Sequence, residues 1–232
     1  MSPQPRALQI LNFISTFLFI VAVTMVFWYA PTEAVMGNVQ RVFYFHTSTG
    51  WVGMLGFLVA AVSGVLYLVK KDMKWDTVEV AAVEISLAFF FMTIVSGSIW
   101  AYPIWNTWWT WDPRLTTAAI LEMIYLAYLL LRQGLEDPER RARFGAVYTL
   151  VGAVSVPITF FSIRIFRTIH PVIIGGANAD AQGSFAMTPR MLTTFMFSLL
   201  TFSVIFITLF WHRIRLGEFQ DKIEQLKLKY LD

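Results

Sequence analysis

VAAVEISLAFFFMTIVSGSIW (Val80–Trp100), AYPIWNTWWTWDPR (Ala101–Arg114) and LTTAAILEMIYLAYLLL (Leu115–Leu131) follow one another without a gap. The first and third are apolar runs of the length a helix needs to cross a bilayer, about 17–25 residues. The insert between them is too short to be a domain and too aromatic to be an ordinary turn. Trp100, Trp105, Trp108, Trp109 and Trp111 place five of the nine tryptophans within twelve residues. A ring-rich patch between two spans is either an interfacial anchor or a docking surface for a large flat ligand.

Working outward, the same apolar character covers the whole chain. Of 232 residues, 57% are hydrophobic and 14% charged, whereas a soluble domain carries about 25% charged residues. Six runs are long enough to span: Leu8–Ala30, Trp51–Val69, Val80–Trp100, Leu115–Leu131, Phe144–Ile163 and Met191–Trp211. The expected fold is an all-α integral membrane protein with six transmembrane helices in a single domain, residues 1–232. The first run is read as a retained helix, because Trp28-Tyr29-Ala30-Pro31 offers no small-x-small cleavage site.

Lys and Arg set the expected orientation. Arg6, the Lys70–Lys74 and Arg132–Arg143 loops and the segment after Trp211 hold thirteen of them; the other side holds Arg41, Arg114, Arg164, Arg167 and Arg190. Both termini then face the cytoplasm and the Trp-rich connection between helices 3 and 4 is external. The longest external connection, Arg164–Arg190, includes Gly175-Gly176. Residues 212–232 have apolar positions at helical spacing and read as an amphipathic tail on the cytoplasmic surface.

No cysteine is present, which excludes disulfides, thiolate metal sites and covalent haem attachment. A net charge of +3, spread over short loops, gives no nucleic-acid surface. There is no Gly-rich phosphate loop and no Ser/His/Asp arrangement. The chain is therefore expected not to be an enzyme.

Three histidines remain. His46 precedes the second run, His170 follows the fifth, and His212 ends the sixth at the opposite side. His46 and His170 thus share a level with the tryptophans. Two imidazoles from different helices beside indoles suit a planar metal macrocycle, each supplying one axial ligand. The bland alternative is a pair of wet interfacial histidines and an ordinary aromatic belt.

If Trp105–Trp111 is helical, Trp105, Trp108, Trp109 and Asp112 line one face. Asp112 before Pro113 also matches a helix N-cap, which would explain it fully. Arg41 and Arg114 suit the carboxylates of a haem or the phosphates of lipid. Glu122 is an intramembrane carboxylate, a functional candidate by default, with Glu84 a weaker one. Gly50 and Gly53 either open a flat surface beside His46 or serve helix packing.

Trp105-Asn-Thr-Trp108-Trp109-Thr-Trp111-Asp112, flanked by two outward histidines, resembles the WWD-motif haem-handling family of cytochrome c maturation. Six spans and two such histidines are most similar to its haem-delivery branch, the cytochrome c maturation protein C family. The resemblance covers nearly the whole chain. It implies a bacterial cytoplasmic-membrane protein that binds haem b transiently and non-covalently, with His46 and His170 as axial ligands. It also implies that Trp105–Asp112 presents haem to a periplasmic haem chaperone. The implied partners are the ATPase and permease subunits of an ABC transporter and a small single-span helper subunit. Arg41 and Arg114 match basic positions near the first histidine and the signature. Two departures stand out: Asn106 replaces the usual Gly, and Thr47-Ser48-Thr49 replaces a Val-Pro pair. The rivals from other classes are a b-type electron carrier acting with quinone and a permease for haem.

Overall fold

A computed structural model describes residues 3–171 and 187–231. Gly175-Gly176 and much of the longest connection lie outside the described residues. The elements are α1 (Arg6–Thr24), α2 (Val42–Lys70), α3 (Lys74–Trp105), α4 (Pro113–Gln133), α5 (Pro138–Ala153), α6 (Ser155–Ile165) and α7 (Pro189–Leu231). Six helical stretches are long and apolar enough to cross a membrane, α5 and α6 together forming one of them. Helices meet this requirement because each backbone N–H and C=O is satisfied within its own segment.

The helices overrun the apolar runs that announce them. α2 starts at Val42, not Trp51, so His46 sits inside its second turn rather than ahead of it. The fifth span is two helices. Its ladder breaks at Val154, because Pro157 has no N–H to give the carbonyl of Ala153. The segment read as an amphipathic tail is helical and continuous with the last span: α7 runs unbroken from Pro189 to Leu231. The polar residues after Trp211 end the apolar character, not the helix.

Local chemistry fixes the ends. Asp112 Oδ1 accepts from Leu115 N at 2.9 Å with Pro113 at the first helical position, so the expected cap forms. Asp137 caps α5 in the same way. α3 stops at Asn106, whose φ of 54° is left-handed. Glycine reaches this region freely and asparagine is the side chain that tolerates it next best, so the replacement keeps the turn. The helical stripe expected over Trp105–Trp111 does not form: the helix has already ended at Trp105.

α2 and α3 are packed along their whole length, and glycine sets the distance. A Cβ on Gly50 would touch Thr93, one on Gly53 would meet Phe90 at 3.1 Å, and one on Gly56 would collide with Ser86. Gly64 faces Glu79 in the same register. Gly50 and Gly53 are thus packing residues and do not border the His46 imidazole. Phe57 from α2 stacks on Tyr125 of α4 at 3.8 Å in the centre of this core.

At the end of the bundle away from His46, charge is buried. Arg132 holds Asp76 through two hydrogen bonds of 2.6 and 2.8 Å, and Tyr128 donates to Glu79 at 2.9 Å. Gly145 lets α5 close over this cluster, since a Cβ there would meet Arg132 at 2.6 Å. Glu84 pairs with Arg213 of α7, and His212 meets Asn12 of α1 at 2.8 Å. Removing one partner of a buried ion pair strands the other charge, at about 3–5 kcal/mol. Asp76→Ala should therefore lower the unfolding midpoint in detergent strongly, and Asp76→Leu with Arg132→Met should recover much of it. An unchanged midpoint for Asp76→Ala would remove this cluster from the determinants of the fold.

Candidate ligand site

His46 is held by α3. Its Nδ1 lies 3.0 Å from the carbonyl of Thr93 and 3.3 Å from Ser96 Oγ. Its ring lies against Gly97, where a Cβ would come within 2.8 Å of Cε1. With Nδ1 donating to the carbonyl, Nε2 is the nitrogen left with a free lone pair. That is the arrangement in which protein imidazoles ligate metals, the second nitrogen fixing tautomer and ring orientation.

His170 reaches the same place from an irregular segment after α6. Its Nδ1 is 3.1 Å from the carbonyl of Pro171. Its backbone N–H donates to Thr168 Oγ1 at 3.1 Å, and Thr168 in turn donates to Asp112 Oδ2 at 2.5 Å. Asp112 therefore does two jobs with two oxygens. One caps α4, and the other anchors the segment that carries His170.

The two imidazole centres are 6.3 Å apart with planes inclined at 37°. A metal ion bound by one nitrogen of each ring at about 2 Å requires centres about 6 Å apart. Trp100 lies 6.0 Å from His46 and 6.4 Å from His170, and Trp105 lies 6.5 Å from His170. Together with Trp109 and Arg114 they line a cavity of about 50 Å³. That volume holds water but not a macrocycle, so a flat ligand requires the walls to part.

The polar groups around the cavity are mostly donors. The indole N–H groups of Trp100, Trp105 and Trp109 are buried without an acceptor among the described residues. The Arg114 guanidinium lines the same space and donates to the carbonyl of Thr159. A ligand with apolar faces and carboxylates would complement this set. Burial, with the Arg114 charge and His46 nearby, holds His170 down to about 3 from an ordinary 6.5. It is thus neutral, the form that can ligate.

Not every residue expected at the site lines it. Arg41 donates to the carbonyl of Val26, to Thr32 at 3.3 Å and to Asn38 at 3.2 Å, joining the end of α1 to α2 outside the cavity. Trp108 stacks on Tyr102 at 4.5 Å and is 56% exposed. Trp111 meets Trp109 edge-on and is 77% exposed. Both face outward because the chain leaves the helix at Asn106, which ends the common face. Glu122 is buried about one turn below Ala118 of the cavity wall. Glu84 is occupied by Arg213.

A family model described as Heme exporter protein C matches residues 2–229. The chain belongs to the heme exporter protein C family. The heme exporter protein C of Bradyrhizobium diazoefficiens is 30% identical over 199 residues, 86% of this chain and 74% of the relative. That of Escherichia coli K12 is 30% identical over 219 residues, 91% of this chain and 86% of the relative.

In this member of the heme exporter protein C family, several site residues carry no signal in the sequence. Gly97 resembles any small residue of an apolar run, and only the antiparallel register of α2 and α3 puts it under His46. Trp100 stands in the cluster, but its neighbours do not show that it alone is buried between both histidines. Thr168 had a local signal: a hydroxyl two residues before His170 can accept its backbone N–H. Thr168→Val should leave a buried Asp112 oxygen unpaired, at about 1–3 kcal/mol. The expected result is a lower unfolding midpoint and faster tryptic cleavage after Arg167, with Thr168→Ser restoring both. Unchanged cleavage in Thr168→Val would contradict the anchor.

Proposed function

We propose that this protein binds one haem at the outer face of the bacterial cytoplasmic membrane and passes it to a periplasmic haem chaperone during cytochrome c maturation. The observation that carries the reading is the pairing of His46 and His170 at 6.3 Å, each with Nδ1 engaged by a carbonyl and Nε2 left over. Relatives bearing the name heme exporter protein C supply the cargo. Haem bound here supplies an iron that accepts two nitrogen ligands and a ring with two carboxylates.

His46 and His170 would hold the iron through Nε2. Trp100, Trp105 and Trp109 would cover the apolar ring and exclude water. Arg114, with the buried indole N–H groups of Trp100, Trp105 and Trp109, would receive the propionates. Attachment is non-covalent, as the absence of cysteine requires. The work is binding and transfer, with no bond cleaved. The exposed Trp108 and Trp111 would form the surface on which the chaperone docks. The distribution of basic residues supports a cytoplasmic position for both termini, where ABC transporter ATPase and permease subunits would bind, with a single-span helper subunit alongside.

An electron carrier needs haem sites at both sides of the bilayer. His212, the histidine left for a second site, is hydrogen-bonded to Asn12 between α1 and α7. A haem permease needs a polar path, but Glu84 is occupied by Arg213.

The purified protein should show a b-type Soret band that His46→Ala or His170→Ala weakens and His212→Ala leaves intact. An equal loss in His212→Ala would defeat the assignment. Trp108→Ala with Trp111→Ala should keep the band and lose haem transfer to a co-expressed chaperone. Unimpaired transfer would remove the docking role.

A further inference from the structure

We propose that the C-terminal part of α7 is a docking helix for an amphipathic helix of a partner protein, one whose apolar seam is bordered by acidic residues. The proposal is independent of the haem site, which lies at the other end of the bundle. α7 continues as one helix past its apolar span. Gly217 presses it onto the start of α3, where a Cβ would meet Thr77 at 2.5 Å, and Asp221 accepts from Thr77 at 3.0 Å. These contacts fix which face of the extension looks at the bundle.

On the side turned away, Leu216, Phe219, Ile223, Leu226 and Tyr230 recur at steps of three, four, three and four. This is the heptad seam of a coiled coil, carried over about 20 Å of helix. Leu226 and Tyr230 are 55% and 72% exposed, and Leu216 and Ile223 are exposed as well. At about 100° per residue the seam covers an arc of about 80°, narrower than the apolar face of a helix lying on lipid. The width therefore favours a helical partner over a membrane surface.

Charge selects the partner. Lys222 and Lys229 border the seam on one side and Lys227 on the other, all exposed. The acids of the extension lie elsewhere on the helix: Asp221 and Glu224 line the crevice between α3, α4 and α7, which Ile223 and Lys227 reach from the edge of the seam, and Glu218 lies beyond Lys222. A second parallel copy would bring Lys222 of one chain against Lys227 of the other, which is repulsive. A seam bordered by Glu or Asp would meet opposite charge on both sides.

The chain lacks cysteine, so any introduced thiol is unique. Single substitutions Ile223→Cys, Leu226→Cys and Gln225→Cys should be probed with a water-soluble maleimide in native membranes. They should be probed again after purification into neutral and into anionic lipid vesicles. The expected result is loss of labelling at the two seam positions, but not at Gln225→Cys, in native membranes, with full labelling of all three in both kinds of vesicle. Adding Lys222→Glu and Lys229→Glu should restore seam labelling in native membranes. Equal labelling of all three in native membranes would overturn the proposal. Protection in anionic vesicles alone would assign the face to lipid, and protection in both would assign it to a second copy.

Discussion

The close approach of α2 and α3 is the constraint from which the rest of the structure follows. In lipid there is little hydrophobic force between helices, so contact depends on how near two backbones can come. Gly50, Gly53, Gly56 and Gly64 remove the side chains that would hold α3 away. Their partners on α3 recede as α2 advances, so one register runs the length of the pair. At one end that register lays His46 on Gly97 and brings its Nδ1 to the Thr93 carbonyl. At the other it sets Glu79 against Gly64, beside the Asp76–Arg132 pair. A shift of one turn would lose both.

The site joined to this frame is built asymmetrically. His46 stands on a helix and is fixed by helix packing. His170 stands on irregular chain and is fixed by a short series of side-chain hydrogen bonds, from Asp112 through Thr168 to its own backbone N–H. A helix ladder spreads its strength over many backbone bonds, whereas this anchor runs through side chains. The cavity between the rings is small, so admitting a flat ligand requires movement on one side. The side without regular helix is His170 with the Trp105–Asp112 segment, which is also where Trp108 and Trp111 lie exposed. A partner that engages those indoles would act on the irregular half of the site.

Much of the architecture is legible in the sequence because membrane spans have a one-dimensional signature. Six apolar runs give six spanning segments, and Asp112-Pro113 gives the start of α4. The runs mislead about length, since helical structure continues wherever backbone bonds allow it: α2 begins nine residues before Trp51, and α7 persists after hydropathy ends. The two histidines and the tryptophan cluster are legible by type and level. Which indoles point inward is not, because that depends on a single left-handed residue, Asn106. Arg41 shows the same limit: its position beside His46 in sequence does not reveal that it turns to α1.

The most direct test of the site is electron paramagnetic resonance of the ferric haem-loaded protein. Ligation by His46 and His170 gives a low-spin signal of two neutral imidazoles, converted to high spin when either histidine is replaced by alanine. A high-spin signal in the unaltered protein, or a low-spin signal that survives loss of both histidines, would contradict it.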